Sequence, residues 1–311
     1  MIIKIINRRV LLQGFAATHC LAAIGWPKLG LPASEALSTQ HITDNILVIA
    51  GAGGNVVLYQ GQQGLTLIDS GTLEKTAELL QLVDKLSSAA PIHTLFNTHW
   101  HEDHTGGNEA VHARGAKIIA HVNTKLWLGA DFDVHWRQSS HKPRPQEALP
   151  DQTFYTDGQL DLGGEIVNYG NFPQAHTDGD MFVYFPDSNV MVAGGLLSNH
   201  TYPIADIATG GWIGGLINAN AAMLAMINDN TVIIPDRGPA RSKADLQAQH
   251  DMLADLFAQM KELVRQGLDD QGMLELKVTK AYDPLWGDPV EFVMETYRGM
   301  WAHTSDMGGF I

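Results

Sequence analysis

The stretch NTHWHEDHTGGNE, residues 97–109, places four metal-binding side chains, His99, His101, Asp103 and His104, within six positions. Such a run has to sit where a chain can turn several side chains onto one point. The end of a strand, running into an irregular loop, allows this. His99 and His101 alternate and so share one side of the strand end. Asp103 and His104 follow on the turn into a helix whose start is marked by Thr105, Gly106 and Gly107. Two neutral imidazoles need a third from elsewhere, and His176 in PQAHTDGDMFVYF fits, because one strand ends there before another begins. A zinc ion on three histidines keeps a fourth position for water and lowers the pKa of that water to about 7. It would thus supply hydroxide at neutral pH. Isolated histidines such as His93, His112 and His121 read as solvated or core residues.

The surrounding pattern is short strands, then helix, then strand, twice over. NILVIAG, NVVLYQG and LTLIDSG are β-rich runs separated by glycine-containing turns. A helix follows, with Leu79, Leu82, Val83 and Leu86 at helical spacing. IHTLFNTH and AKIIAHV are the next strands. Residues 129–152 are polar, contain proline and lack any period, so they read as a long loop of the kind that often serves as a lid. Strands return at EIVNYGNF, MFVYFPD and VMVAGGLL, then a helix in GGWIGGLINANAAMLAMI, a strand TVIIP, and two helices near 241–266 and 289–303. Two sheets sandwiched between helices in a single domain, an α+β fold, accommodate this order.

Charge and leader bound the setting. A formal net charge of −14 argues against nucleic-acid or anionic-membrane partners, which call for a basic face. Arg8 and Arg9, followed by a short apolar run and small residues, read as an export signal over residues 1–36. The Arg pair resembles the twin-arginine type, which directs the chain to the periplasm or outside the cell. The apolar run is shorter than the roughly 20 residues of a membrane span, so no stable membrane insertion is expected after signal removal. Cys20, the sole cysteine, lies in this leader, leaving residues 37–311 without thiolate or disulfide.

THWHEDHTGG, AHTDGD and LIDSG, with the spacing among them, resemble the metallo-β-lactamase-fold hydrolases from about residue 42 to at least 240. The resemblance implies an αββα four-layer sandwich with a two-metal site at one edge. On matching positions His99, His101 and His176 fall on the first metal, Asp103 and His104 on the second, and Asp69 beside the site as a buried support.

The pattern breaks twice. Where two-metal relatives commonly carry aspartate or cysteine after the next strand, VMVAGGLLSN places Gly195. Where they carry the histidine of a Gly-His-Gly turn, TVIIPDRGPA places Arg237. Arginine stays protonated and cannot ligate. At about 6 Å and an effective dielectric near 20 its repulsion of a unit charge is about 3 kcal/mol, and a divalent ion doubles it. One zinc is therefore expected, the second weak or absent.

The expected function is a zinc-dependent hydrolase of acyl-type bonds (ester, lactone, thioester or β-lactam amide) acting on a small molecule. Asp103 would orient or deprotonate water, and Arg237 would pair with Asp103 and face an oxyanion or anionic group. Arg237 pointing to solvent beside a decayed site is the other reading, and Asp236 or His200 swinging in as a ligand a third. The alternative at the level of function is a non-catalytic metal- or ligand-binding protein of the same fold. His135, Trp136, Tyr202 and Trp212 are the candidate pocket walls.

Overall fold

The computed structural model describes residues 36–134 and 139–303. The leader, with its Arg pair, and the pocket candidates His135 and Trp136 lie outside the described residues.

Alternation within the apolar runs builds the layers. Strands β1 (Ser38–His41), β2 (Ile46–Ala52), β3 (Gly54–Gly61) and β4 (Gly64–Ile68) form an antiparallel meander. Helix α1 (Thr76–Ser87) then crosses over to β5 (Ile92–Phe96), which lies parallel to β4. After α2 (Glu102–Thr105) and α3 (Asn108–His112) comes β6 (Lys117–His121), parallel to β5. Helix α4 (Val122–Leu128) and a hairpin, β7 (Phe132–Val134) with β8 (Ser139–His141), lead to β9 (Gln152–Phe154), the last strand of the first sheet. The second sheet runs β10 (Asp157–Asp161), β11 (Ile166–Asn171), β12 (Met181–Phe185), β13 (Val190–Gly194) and β14 (Val232–Pro235). Only its final pair, β13 and β14, is parallel.

Successive side chains of each strand go to opposite layers. Val57 and Tyr59 of β3 enter the core between the sheets, where they meet Val183 and Phe185 of β12. Val56 and Leu58 point the other way, onto Leu79, Leu80 and Val83 of α1. In the second sheet Val190 and Val192 face the first sheet, and Met191 and Ala193 face the outer helices. Those helices are α5 (Ile213–Met226), α6 (Lys243–Arg265), α7 (Asp270–Glu275), α8 (Asp283–Trp286) and α9 (Val290–Ala302). Helix α6 begins at a reciprocal capping box of Ser242 and Asp245 and buries Leu246, Leu253, Leu256 and Met260 along one stripe. The result is helix, sheet, sheet, helix: an αββα sandwich.

Two expectations need correction. Residues 129–152 are not one structureless loop. They hold the hairpin β7–β8, a 3₁₀ turn over Gln146–Ala148 and the start of β9. Between the two long C-terminal helices lie α7 and α8, too short to leave a period in the sequence. None of the described helices is long and apolar enough to cross a membrane.

Parallel pairing fixes where the site can be. Strands β4 and β5, and β13 and β14, run in the same direction pairwise. Their carboxyl ends are followed by Asp69, by Asn97 to His104, by Gly195 and by Asp236–Arg237 respectively. Every group singled out near those ends therefore enters from a loop at a strand terminus.

Candidate metal centre

The loop after β5 is held in shape by buried amides. Asn97 and Asn108 exchange side-chain hydrogen bonds of 3.0 and 2.8 Å, and Ser70 donates to Asn108 Oδ1 at 2.9 Å. The asparagines of NTH and GGN thus clamp the two ends of the histidine run.

Each of three imidazoles has one nitrogen occupied by an oxygen. His99 Nδ1 lies 3.0 Å from Thr98 Oγ1, which itself donates to Asp69 Oδ2 at 2.7 Å and so accepts from the imidazole. His101 donates from Nε2 to Asp206 Oδ2 at 3.0 Å. His176 donates from Nδ1 to the Ile204 carbonyl at 2.6 Å. These partners fix the tautomers and leave His99 Nε2, His101 Nδ1 and His176 Nε2 as lone pairs. His101 Nδ1 is 3.1 Å from each of the other two. Three acceptors that close repel one another unless a cation sits among them. Among the described residues, these three form the group whose ligand atoms all lie within 4.8 Å of one another.

Burial tunes the set in the same sense. It pushes the pKa of His99 well below 6.5, helped by the charges of His104, His101 and His176. Burial also lowers His176, with His101 adding to it. Neutral imidazoles are the form that binds metal. The donor set fits a borderline cation such as zinc, with a fourth position left for water.

The neighbouring position is built differently. Asp103 forms an ion pair with the Arg237 guanidinium, whose other NH group donates to the Gly53 carbonyl at 2.5 Å. Arg237 therefore does not simply point into solvent, although its side chain is half exposed. The turn carrying it is tied to β3 by Asn55, which donates to the carbonyls of Pro235 and Gly238 at 3.0 and 2.9 Å. Burial acts to raise the Asp103 pKa, but the charges of His104, Arg237 and His101 outweigh it, and the carboxyl stays below its ordinary value.

His104 does not join the triad. Its Nδ1 donates to Asp69 Oδ2 at 2.7 Å, and its Nε2 is 3.6 Å from Asp103 Oδ2. The ring lies against Gly54, whose missing side chain leaves the space for it. Burial opposes charge on His104, yet the charge and hydrogen bond of Asp69 push its pKa up to about 9. Gly195 tells a similar story. A Cβ there would run into the His176 ring, so imidazole already fills the direction an acidic side chain would take.

Asp69 has left-handed backbone (φ 64°) and is buried, and it also accepts the Thr98 amide at 2.7 Å. It thus supports both His99 and His104. Asp236 stands near His104 and His176, and its burial raises its pKa. His200, the other substitute considered, turns instead toward Asp245 at 3.4 Å.

Tyr202 lines a cleft of about 280 Å³ beside His176, together with Asn199, Thr201, Asp236 and Arg237. Its hydroxyl, however, bonds to Thr279 and Asp283, and its ring stacks on Phe292. Trp212 is buried, stacks on His303 and packs on Phe257, and it lines a separate cavity of about 310 Å³ with Gly214, Ile217, Asn218 and Ala254. An aromatic in an apolar run serves the core as readily as a pocket. Asp206 is the functional residue that sequence reasoning missed. It anchors His101, accepts from Thr209 Oγ1 at 2.8 Å, and its amide donates to the His176 carbonyl at 2.7 Å. The sole signal was a lone acid within YPIADIATGG.

Comparison with known proteins gives the same architecture. The family model of the metallo-beta-lactamase superfamily matches residues 50–248, well over half of the chain. A metallo-beta-lactamase from Pontibacter korlensis is similar at 21% identity and TM-score 0.57, covering 71% of this chain and 100% of its own. DIM-1 metallo-beta-lactamase is similar at 16% identity and TM-score 0.56, with 71% and 98% covered. The stereoselective inverting sec-alkylsulfatase Pisa1 from Pseudomonas sp. is similar at 18% identity and TM-score 0.63 over 88% of this chain. This chain spans only about half, 52%, of that sulfatase. The chain belongs to the metallo-beta-lactamase superfamily.

Proposed function

We propose that the protein is an exported hydrolase of acyl-type bonds that works with one zinc ion on His99, His101 and His176, and with Arg237 in place of a second metal. The observation that carries this reading is the contrast at the centre: three fixed lone pairs meet at one point, and beside them Asp103 is paired with a guanidinium. A zinc ion held by the triad supplies Lewis acidity and a water acidified to near neutrality.

The chain's own groups do the rest. Asp206, Thr98 and the Ile204 carbonyl keep each imidazole in its metal-facing tautomer. Asp103 gives Oδ2 to Arg237, leaving Oδ1 to accept a hydrogen bond from the attacking water. With its pKa depressed, Asp103 orients that water rather than serving as a strong base. Arg237, always charged, faces the negative oxygen that develops at an attacked carbonyl. Phosphodiester cleavage, which relies on two metals clamping both oxygens, is the chemistry least supported.

β-Lactamases and an alkylsulfatase share the fold, so the fold does not choose the bond. The Arg8–Arg9 leader supports export to the periplasm, and a twin-arginine route would carry the chain already folded. Zinc-reconstituted protein assayed against a neutral aryl ester, a lactone, a thioester and a β-lactam tests the reading. Turnover of at least one, lost with His101→Ala, is the expected result. Bound zinc with no turnover across the panel would favour the metal-binding, non-catalytic alternative, to which an Asp103 consumed by Arg237 lends support.

A further inference from the structure

A second cleft opens beside the metal centre, bordered by His101 and Asp103. It measures about 330 Å³ and runs from His101 and Asp103 to Trp100, Phe132 and His141. Phe132 and His141 belong to the hairpin β7–β8, which joins neither main sheet. Their rings pack with the indole of Trp100 into one aromatic wall of the cleft: Trp100 to His141 is 5.0 Å, Phe132 to His141 5.2 Å and Trp100 to Phe132 5.5 Å between centroids. Trp100 also lies 4.6 Å from the His101 ring, so this wall abuts the triad directly. Its Nε1 donates to Thr209 at 3.0 Å, which fixes the indole plane.

His141 is the unexplained member. It is 4% exposed, yet its Nε2 has no hydrogen-bond partner. Its Nδ1 is 3.7 Å from Glu102 Oε1, beyond a normal hydrogen bond. Buried polar nitrogens are nearly always satisfied, and one left open beside a cavity calls for a missing partner. Charge bears on that partner: among the described lining residues Glu102 is an acid and none is a lysine or arginine, so a neutral group is favoured over an anion. The three rings favour an aromatic face or edge.

We propose that this cleft is the subsite for an uncharged aromatic group of the substrate, with His141 as the hydrogen-bonding anchor for a polar atom attached to it. The proposal rests on the hydrolase reading above and names the substrate class: neutral aryl-bearing acyl compounds. A turn of the His141 ring about Cβ–Cγ presents a ring nitrogen to the bound group.

Phenylacetamide, a neutral and unreactive probe, tests binding apart from turnover when titrated calorimetrically into the zinc-loaded full chain beside acetamide. Phenylacetamide is expected to bind at least about tenfold more tightly than acetamide. Phe132→Ala and His141→Phe should each remove most of that preference while leaving zinc content unchanged. His141→Phe keeps the ring and guards against collapse of the hairpin. In turnover, Phe132→Ala should raise KM for an aryl-bearing ester and leave KM for the matching acetyl ester in place. Equal binding of the two amides, or a preference that survives both substitutions, overturns the proposal. Phenylacetamide binding as described, without hydrolysis of the ester, the lactone, the thioester or the β-lactam, would uphold the subsite and refute the hydrolase reading.

Discussion

At the triad three imidazoles, each backed by an oxygen, turn lone pairs toward one point, whereas at the neighbouring position Asp103 pairs with a guanidinium carried by the chain and His104 turns to Asp69. Both positions draw on the same loop after β5, and both need positive charge to balance their donors. One is built to take that charge from solution. The other carries it covalently, at a residue that neither exchanges nor deprotonates. His176 against Gly195 and His104 against Gly54 show that the space around the second position is packed rather than merely emptied.

The largest effect that would break this comparison comes from Arg237 itself. Arg237→Ala leaves Asp103 without its partner and should lower kcat on a responsive ester by about 100-fold, the scale of losing one oxyanion-stabilising group. Zinc content should stay at one. Arg237→Lys should recover little of the loss, because a point charge does not reproduce a fork held by both Asp103 and Gly53. Arg237→His is the sharper variant: with the repulsion removed and a third ligand restored beside Asp103 and His104, a second zinc should appear in excess metal. If the second position had simply decayed, these substitutions would leave rate and metal count alone.

Asp206→Asn probes the opposite half. An amide in place of the carboxylate weakens the hold on the His101 tautomer, and zinc affinity should drop by about 10–100-fold in competition with a chelator. The rate per bound zinc should change far less. The smallest expected effect is with pH. His99 and His176 have depressed pKa values, so they stay neutral and able to bind metal below the ordinary imidazole value. Protonation competes with metal only as pH falls through those lowered values. Zinc retained after dialysis should therefore hold through about pH 6.5 and fall off on the acid side of it, whereas release centred above pH 7 would contradict the tautomer arrangement.

Much of this was readable in the chain because its signals are local. Strands β2 to β6 and β12 to β14 are apolar runs buried on both faces over most of their length, and the histidine run declares its chemistry within six residues. What was not readable depends on partners. Strand β1 (STQH) is exposed throughout and β10 (DGQLD) alternates between exposed and half-buried, so each exists through the strand beside it. The hairpin β7–β8 sits in a polar, proline-containing stretch whose ring cluster appears only when Trp100 arrives from another loop. Asp206 reaches His101 across 105 positions, and no local pattern marks such a pairing. Which cavity Trp212 walls is likewise not marked locally, since hydrophobic periodicity does not say which elements pack around an indole.

The most direct test is a count of zinc ions. Purified protein incubated with a tenfold excess of zinc, exchanged into a volatile buffer and weighed intact by native mass spectrometry should carry one ion per chain. On the proposed reading three histidines make one complete site, and Arg237 keeps the adjacent position closed. Two ions per chain, retained through the same exchange, would contradict the account at its centre.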